Sequence, residues 1–228
     1  MLRNILVLAC LLGAPSASLL AQGFASGDQQ NLAPLINANI DIADATALIK
    51  ALNDKSGRLA VPAAQALGNL QSTPIIVREL SLALQSKNEL LVLCAAKSLL
   101  ALGDRGWSKS ASLRMDAVQN PVTRVQLAGV LAQTGDYSGW KHVTSILLDP
   151  KADRWDVADA FIQTDFFIGM KDEHGKEVNI PMALVALTPQ MPESHLGQAQ
   201  TEIQRLFTKL DRKRRGLPEP NTSKGSQY

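Results

Sequence analysis

The chain has 228 residues, of which 46% are hydrophobic and 19% are charged, and its net charge is +2. This balance is typical of a folded chain of one or two domains and excludes an intrinsically disordered protein. Aromatic residues make up only 4% of the sequence, so alanine and leucine must supply most of the packing, which favours helices over β-sandwiches or barrels.

Residues 1–21 have the pattern of a secretory signal peptide. Arg3 precedes an apolar run over residues 5–12, and small residues follow from 13 to 18, the order found in export signals. The run is too short to span a bilayer, which takes about 20 apolar residues. The mature protein is therefore predicted to be periplasmic or secreted. Residues 7–10 also imitate a lipoprotein site ending at Cys10, an alternative that the short apolar run disfavours.

A polar leader and N-terminal cap are predicted for residues 22–44, and residues 45–170 then repeat with a period of 30 to 32 residues. One column of the repeat is always alanine: Ala64, Ala96, Ala128 and Ala158. A second column, three positions later, is large and apolar: Leu67, Leu99, Leu131 and Phe161. Residues three apart share one face of a helix. The alanines therefore predict close helix contacts, and the larger residues predict a core between repeats.

Each copy is preceded by a second apolar segment, so the repeating unit is predicted to be a helix hairpin. Thr73-Pro74 and Asn120-Pro121 mark helix starts, because a capping side chain followed by proline suits the first helical position. Gly103-Asp104 and Gly135-Asp136 mark helix ends, because glycine accepts the left-handed conformation just past a helix. One hairpin cannot bury its own apolar face, and about three stacked copies are needed for stability.

With these features the sequence resembles the HEAT-repeat family in its short bacterial form. Arg124 and Arg154 stand three residues ahead of the doublets at 127–128 and 157–158, where the family has an arginine, and Asp149 lies where its inter-repeat acidic partner would be. The resemblance implies an all-α fold, an α-solenoid of about four to five helix hairpins in a right-handed superhelical stack. It also implies protein binding, and it supplies no catalytic residue.

The C-terminal part departs from the repeat. Residues 171–215 are predicted to form an exposed loop followed by C-terminal capping helices, and residues 216–228 a disordered tail. The last helix is expected to begin near Ser194. Its apolar face is predicted to consist of Ala199, Ile203, Leu206, Phe207 and Leu210.

Two tryptophans occupy similar linkers and are candidate binding residues. Trp107 follows Gly-Asp-Arg-Gly, and Trp140 follows Gly-Asp-Tyr-Ser-Gly. With Arg105 and Tyr137 from the same linkers, they predict anchors for a protein partner on one edge of the array, since these residue types dominate binding energy. The alternative is that both indoles seal the gap between hairpins and donate to backbone carbonyls. Equivalent positions in a repeat favour packing, and the sequence leaves both roles open.

The densest charge is the run Arg212, Lys213, Arg214 and Arg215. It could bind an anionic envelope surface, either lipid or cell-wall polymer. Alternatively, the cations only complement the dipole at the end of a helix. Nucleic acid is not expected as a partner, because the sequence has no extended basic stripe with interleaved aromatic residues.

No set of residues predicts catalysis, a metal or a cofactor. The three histidines, at 142, 174 and 195, are far apart, and the trio 172–174 is typical of a solvated loop. No glycine-rich phosphate loop or nucleophilic set stands out. The sequence therefore predicts a non-catalytic protein-binding scaffold or adaptor, with an envelope-surface binder as the alternative. A HEAT-like lyase is a third hypothesis with no feature in its favour.

Overall fold

The computed structural model describes residues 28–172 and 174–218. These residues form eleven α-helices and contain no β-strand, so the all-α prediction is confirmed for this part of the chain. The signal peptide predicted at 1–21 lies outside the described residues, as does most of the predicted tail. None of the helices within the described ranges is both long and apolar enough to cross a membrane.

The helices are, in chain order, α1 (Asp28–Asn37), α2 (Ala45–Leu52), α3 (Ala60–Gly68), α4 (Pro74–Ala83), α5 (Glu89–Ala101), α6 (Ser108–Met115), α7 (Pro121–Ala132), α8 (Trp140–Leu148), α9 (Arg154–Thr164), α10 (Ile180–Leu187) and α11 (Glu193–Arg214). Three short 3-10 helices lie at Tyr137–Gly139, Asp165–Phe167 and Thr188–Gln190. The longest helix is α11, with 22 residues.

Local sequence decides where several helices begin and end. Thr73 and Asn120 each accept a hydrogen bond from the N–H three residues on, at 3.4 and 2.9 Å. Gly103 and Gly135 have φ values of +76° and +94°, a left-handed conformation that glycine adopts at low cost. In both cases the N–H of the next aspartate donates to the carbonyl five residues back, at 3.1 and 3.2 Å. The predicted starts and ends are confirmed at these four positions.

The helices pack in chain order. The second helices of the four hairpins, α3, α5, α7 and α9, lie side by side, and each packs on its preceding partner, α2, α4, α6 or α8. At one end α1 covers α3, and at the other α11 packs on α9 and on α10. This order of contacts is compatible with an α-solenoid.

The two repeated columns form the core between the second helices. Ala64, Ala96 and Ala128 are fully buried, as are Leu67, Leu99, Leu131 and Phe161; Ala158, in the last copy, is half-buried. The α3 and α5 backbones approach so closely that Ser98 Oγ donates to the Ala64 carbonyl at 2.8 Å. A Cβ added at Gly68 would lie 2.8 Å from Ser98 Cα. The buried small residues therefore allow the close contact that the alanine column predicted.

Polar side chains also join neighbouring hairpins. The Glu89 carboxylate, at the start of α5, accepts the backbone N–H groups of Gln119 and Asn120, the second at 3.0 Å. Farther along, the Gln126 side chain of α7 donates to Asp159 of α9 at 2.8 Å. These bonds fix the link before α7 and the α7–α9 contact.

The arginine–aspartate link implied by the family resemblance does not form at the predicted positions. Arg124 Nε donates to the Val118 carbonyl at 2.8 Å, within its own hairpin. Arg154 lies over the ring of Trp155, with its guanidinium carbon 4.7 Å from the ring centre. Asp149 accepts the N–H of Lys151. Neither arginine pairs with Asp149 among the described contacts.

The last helix, α11, is attached at two points. Its His195 Nδ1 lies 3.1 Å from the Leu147 carbonyl at the end of α8. Arg205 makes two hydrogen bonds, of 2.6 and 3.0 Å, to Asp165 just after α9.

The predicted apolar face of α11 is only partly correct. Ala199 and Leu206 are fully buried, and Ile203 and Leu210 are half-buried. Phe207 is 41% exposed, because it follows Leu206 directly and successive helical side chains point about 100° apart.

Candidate protein-binding surfaces

The loops that follow α5 and α7 are built alike. Asp104 accepts the N–H of Gly106 at 2.7 Å, and Asp136 accepts the N–H of Ser138 at 2.8 Å. The loop after α9 also begins with a left-handed glycine, Gly169, at φ +80°. The repeated sequence thus produces repeated loop geometry, but the tryptophans that end the first two loops have different surroundings.

Trp107 is a packing residue. Its side chain is only 3% exposed, and its Nε1 donates to the Asp104 carbonyl at 2.8 Å. A partner approaching the surface cannot contact an indole that is this buried. The anchor role predicted for Trp107 is therefore replaced by the packing alternative, while Arg105 in the same loop is exposed.

Trp140 and Tyr137 form an aromatic cluster with a residue that the sequence analysis did not identify. The two rings stack at 6.1 Å, and the centre of the buried Phe167 ring lies 5.3 Å from that of Trp140 and 5.8 Å from that of Tyr137, with the ring planes inclined by 60° and 82°. Phe167 comes from the 3-10 helix after α9, so the cluster joins the start of the α8–α9 hairpin to the segment that follows it. Tyr137 and Trp140 remain half-buried and keep part of their surface available.

A polar cavity opens beside this cluster. Its volume is about 510 Å³, and it is lined by Ser108, Thr134, Gly135, Asp136, Tyr137, Ser138, Lys171 and Asp172. Burial, together with the negative charge of Asp172, raises the pKa of Tyr137 to about 12. Tyr137, which lines the cavity, is protonated at neutral pH as an ordinary tyrosine is, and its phenol is a hydrogen-bond donor.

The most exposed tryptophan lies elsewhere, on α9, and was not among the predicted site residues. Trp155 is 69% exposed, and Ile162, on the same face two turns later, is 55% exposed. The Phe166 ring, 37% exposed, lies at the end of this row against Gly129 of α7. We call Trp155, Ile162 and Phe166 the α9 face.

The repeat makes the exposure of the α9 face unusual. Thirty residues earlier, Val125 and Ala132 occupy the positions of Trp155 and Ile162, and they are only 1% and 4% exposed. Gly129 lies between them, so close to the Gln163 side chain of α9 that no Cβ fits there unless Gln163 moves. On α7 this face is therefore covered by α9, whereas the equivalent face of α9 is exposed.

Acidic side chains flank the α9 face. Asp153 caps the helix, and Asp156 and Asp159 follow on its first two turns. Burial raises the pKa of Asp156, and the negative charges of Asp153 and Asp159 add to the effect. Arg154, on the first turn of the helix, stacks on Trp155. The N-terminal half of α9 therefore carries excess negative charge.

The basic run at the end of α11 is partly engaged within the chain. Arg215 pairs with Asp211 at 3.0 Å, and Arg212 donates to the Pro218 carbonyl at 2.7 Å. Arg214 is exposed on the last turn. These contacts agree with cations that complement a helix end, and binding to an anionic envelope surface stays a prediction.

The histidines do not assemble into a metal site. His142 is buried, with Nε2 3.2 Å from Asp116 Oδ1. Its pKa is lowered by burial and by the neighbouring charge of Lys141. His195 is bonded to a carbonyl more than 45 residues away in sequence. Within residues 28–172 and 174–218, no three histidine, cysteine or acidic side chains converge in a way that could hold a metal ion.

In comparisons with known proteins, no family model, curated protein or solved structure matches this chain.

Proposed function

We propose that this chain is an exported, non-catalytic adaptor that binds another protein through the α9 face. The signal-like residues 1–21 support export to the periplasm or beyond the cell. The absence of a nucleophilic set or phosphate loop from the sequence supports a binding role rather than catalysis.

The proposed architecture is a HEAT-like α-solenoid with a right-handed superhelical stack. Four hairpins, α2–α3, α4–α5, α6–α7 and α8–α9, supply the array, and α10–α11 form a fifth, closing pair. The ordered contacts among the second helices and the equivalent helix ends at Gly103 and Gly135 support this arrangement. Rigid stacked helices present side chains to a partner with little rearrangement.

The exposure of Trp155 carries the proposal. A tryptophan that is 69% exposed, beside a 55% exposed isoleucine, leaves apolar surface in water that burial in an interface would remove at about 25 cal/mol per Å². Exposed apolar patches of this kind mark protein interaction sites, and tryptophan is the residue type most enriched in their energetic centres. The buried equivalents on α7 indicate that this face fits a helix.

The test is affinity capture from the native envelope fraction with the tagged mature chain and two variants. Trp155→Ala is expected to lose a stoichiometric protein partner while its helical circular dichroism stays unchanged. Leu113→Ala is the matched control, because Leu113 is 75% exposed on α6, and it should capture the partner normally. Equal capture by the parent and Trp155→Ala would refute the assignment of this face.

A second pair of variants distinguishes binding through the α9 face from binding through the loops that follow α5 and α7. Tyr137→Ala opens the polar cavity, and Arg105→Ala removes the exposed cation one hairpin earlier. If capture is lost with Tyr137→Ala but retained with Trp155→Ala, the adaptor function is retained and the binding surface is assigned to the loops after α5 and α7.

A further inference from the structure

The α9 face has the dimensions of a seat for one helix. Trp155 and Ile162 lie at i and i+7 on one side of α9, an apolar row about 10 Å long at 1.5 Å per residue, and Asp159 lies beside it. The corresponding row on α7 is covered by α9 itself, through contacts such as that of Gly129 with Gln163. An occupant packed at the usual interhelical distance of about 8–10 Å would reproduce this contact.

The charge around the seat is asymmetric. On the side toward α11, Asp165 is already neutralised by Arg205 at 2.6 Å and by Lys209 at 3.2 Å. On the side toward α7, the neutral amide of Gln126 donates to Asp159 at 2.8 Å, and Lys97 Nζ lies 3.5 Å from the oxygen of the same amide. Asp156 lies one turn before Asp159. Neither carboxylate forms an ion pair among the described contacts, so acidic side chains border the apolar row on this flank.

We infer that the α9 face receives a cationic amphipathic helix of the partner protein, with apolar residues on Trp155 and Ile162 and lysine or arginine beside Asp156 and Asp159. This inference rests on the proposed function and adds the chemistry of the partner. The apolar row calls for an occupant with leucine-like side chains at helical spacing. The bordering carboxylates favour basic side chains and disfavour acidic ones, because like charges at an interface oppose association.

The electrostatic part of this inference has its own signature. Attraction between exposed charges is screened by salt, with a Debye length of about 10 Å at 0.1 M. Binding of a basic helix is therefore expected to weaken as salt is raised. An interface that depended on the apolar row alone would lack this dependence.

The experiment uses three synthetic 18-residue peptides and the mature chain. The first has leucine on one helical face and lysine on the other, the second replaces every lysine with glutamate, and the third scrambles the first so that no apolar face remains. Fluorescence anisotropy of the labelled peptides measures binding. The leucine–lysine peptide should bind at least about tenfold more tightly than either control.

Variants of the chain then locate the contact. Trp155→Ala is expected to weaken binding of the leucine–lysine peptide more than tenfold. The double variant Asp156→Asn with Asp159→Asn should weaken it about tenfold and remove most of the salt dependence. Leu113→Ala, which removes an exposed apolar side chain from another helix, should bind as the parent does.

Several results would overturn the inference. Equal binding of the lysine and glutamate peptides would rule out a basic partner. Unchanged binding by Trp155→Ala would place the peptide elsewhere. A parent chain that sediments as a dimer, and becomes monomeric in Trp155→Ala, would assign the face to a second copy. If envelope capture depends on Trp155 but the peptides show no charge preference, the adaptor function survives and only the partner chemistry fails.

Discussion

The contact between α3 and α5 is so tight that adding one methyl group is expected to lower the free energy of unfolding measurably. In Gly68→Ala the added Cβ would lie 2.7 Å from Ser98 Cβ and 2.8 Å from Ser98 Cα, whereas ordinary contacts begin at 3.4 Å. The obstacle includes backbone, so no side-chain rotation relieves it, and the helices must separate by about 0.6 Å along this line. Separation also strains the 2.8 Å hydrogen bond from Ser98 to the Ala64 carbonyl.

The expected magnitude follows from opposing effects. Overpacking of this kind costs about 1–3 kcal/mol, and weakening a buried hydrogen bond adds about 1 kcal/mol. Replacing glycine by alanine within a helix returns up to about 1 kcal/mol, and less here because Gly68 is the last residue of α3. The net loss is about 2 kcal/mol. For a domain of this size it corresponds to a fall in Tm of about 4–8 °C.

The assay is thermal and urea unfolding followed by far-ultraviolet circular dichroism, with Gly197→Ala as the matched control. Gly197 lies inside α11, and a Cβ added there meets nothing within 4 Å. This control should gain up to about 1 kcal/mol from its higher helix propensity. If Gly68→Ala is as stable as the parent while the control behaves as expected, the close packing of α3 on α5 is refuted.

Three further predictions concern other contacts. In Glu89→Gln, stability falls at neutral pH, because backbone N–H donors hold the pKa of Glu89 below its usual value. The difference from the parent should shrink as pH falls through the folded-state pKa, and urea unfolding at several pH values checks it. Trp107→Phe removes the hydrogen bond to Asp104 and should lower the free energy of unfolding by about 1–3 kcal/mol without changing partner capture. Arg205→Ala breaks the bidentate pair with Asp165 and should speed hydrogen exchange in α11 about tenfold relative to α5, equivalent to about 1.4 kcal/mol.

Features that depend on local sequence were predicted well. The caps at Thr73 and Asn120 and the left-handed glycines at 103 and 135 need only a few neighbouring residues. The buried alanine column follows from a periodicity that is visible in the sequence itself. The caps and glycines were predicted because cause and effect lie within one helix or one turn. The alanine column was predicted because the repeat places the same small residue at each helix contact.

The specific polar and aromatic contacts between distant segments were beyond sequence reasoning. The Glu89 carboxylate accepts backbone N–H groups 30 and 31 residues later in the chain. No local sequence motif predicts contacts over that separation. Trp107 is buried and donates to Asp104 in its own loop, whereas Trp140 packs on Phe167 from the segment after α9. Two tryptophans at similar repeat positions therefore have different surroundings, because different segments of the chain pack on them.

The α9 face shows where position in the array outweighs position in the repeat. Val125, Gly129 and Ala132 on α7 are small and buried, which lets α9 approach closely. On α9 the same positions are left uncovered by α11 and meet water, where polar residues are expected. Trp155 and Ile162 depart from this expectation in both size and polarity. Charged residues at these positions would increase solubility. The exposure of Trp155 and Ile162 therefore supports the proposal that a partner covers them.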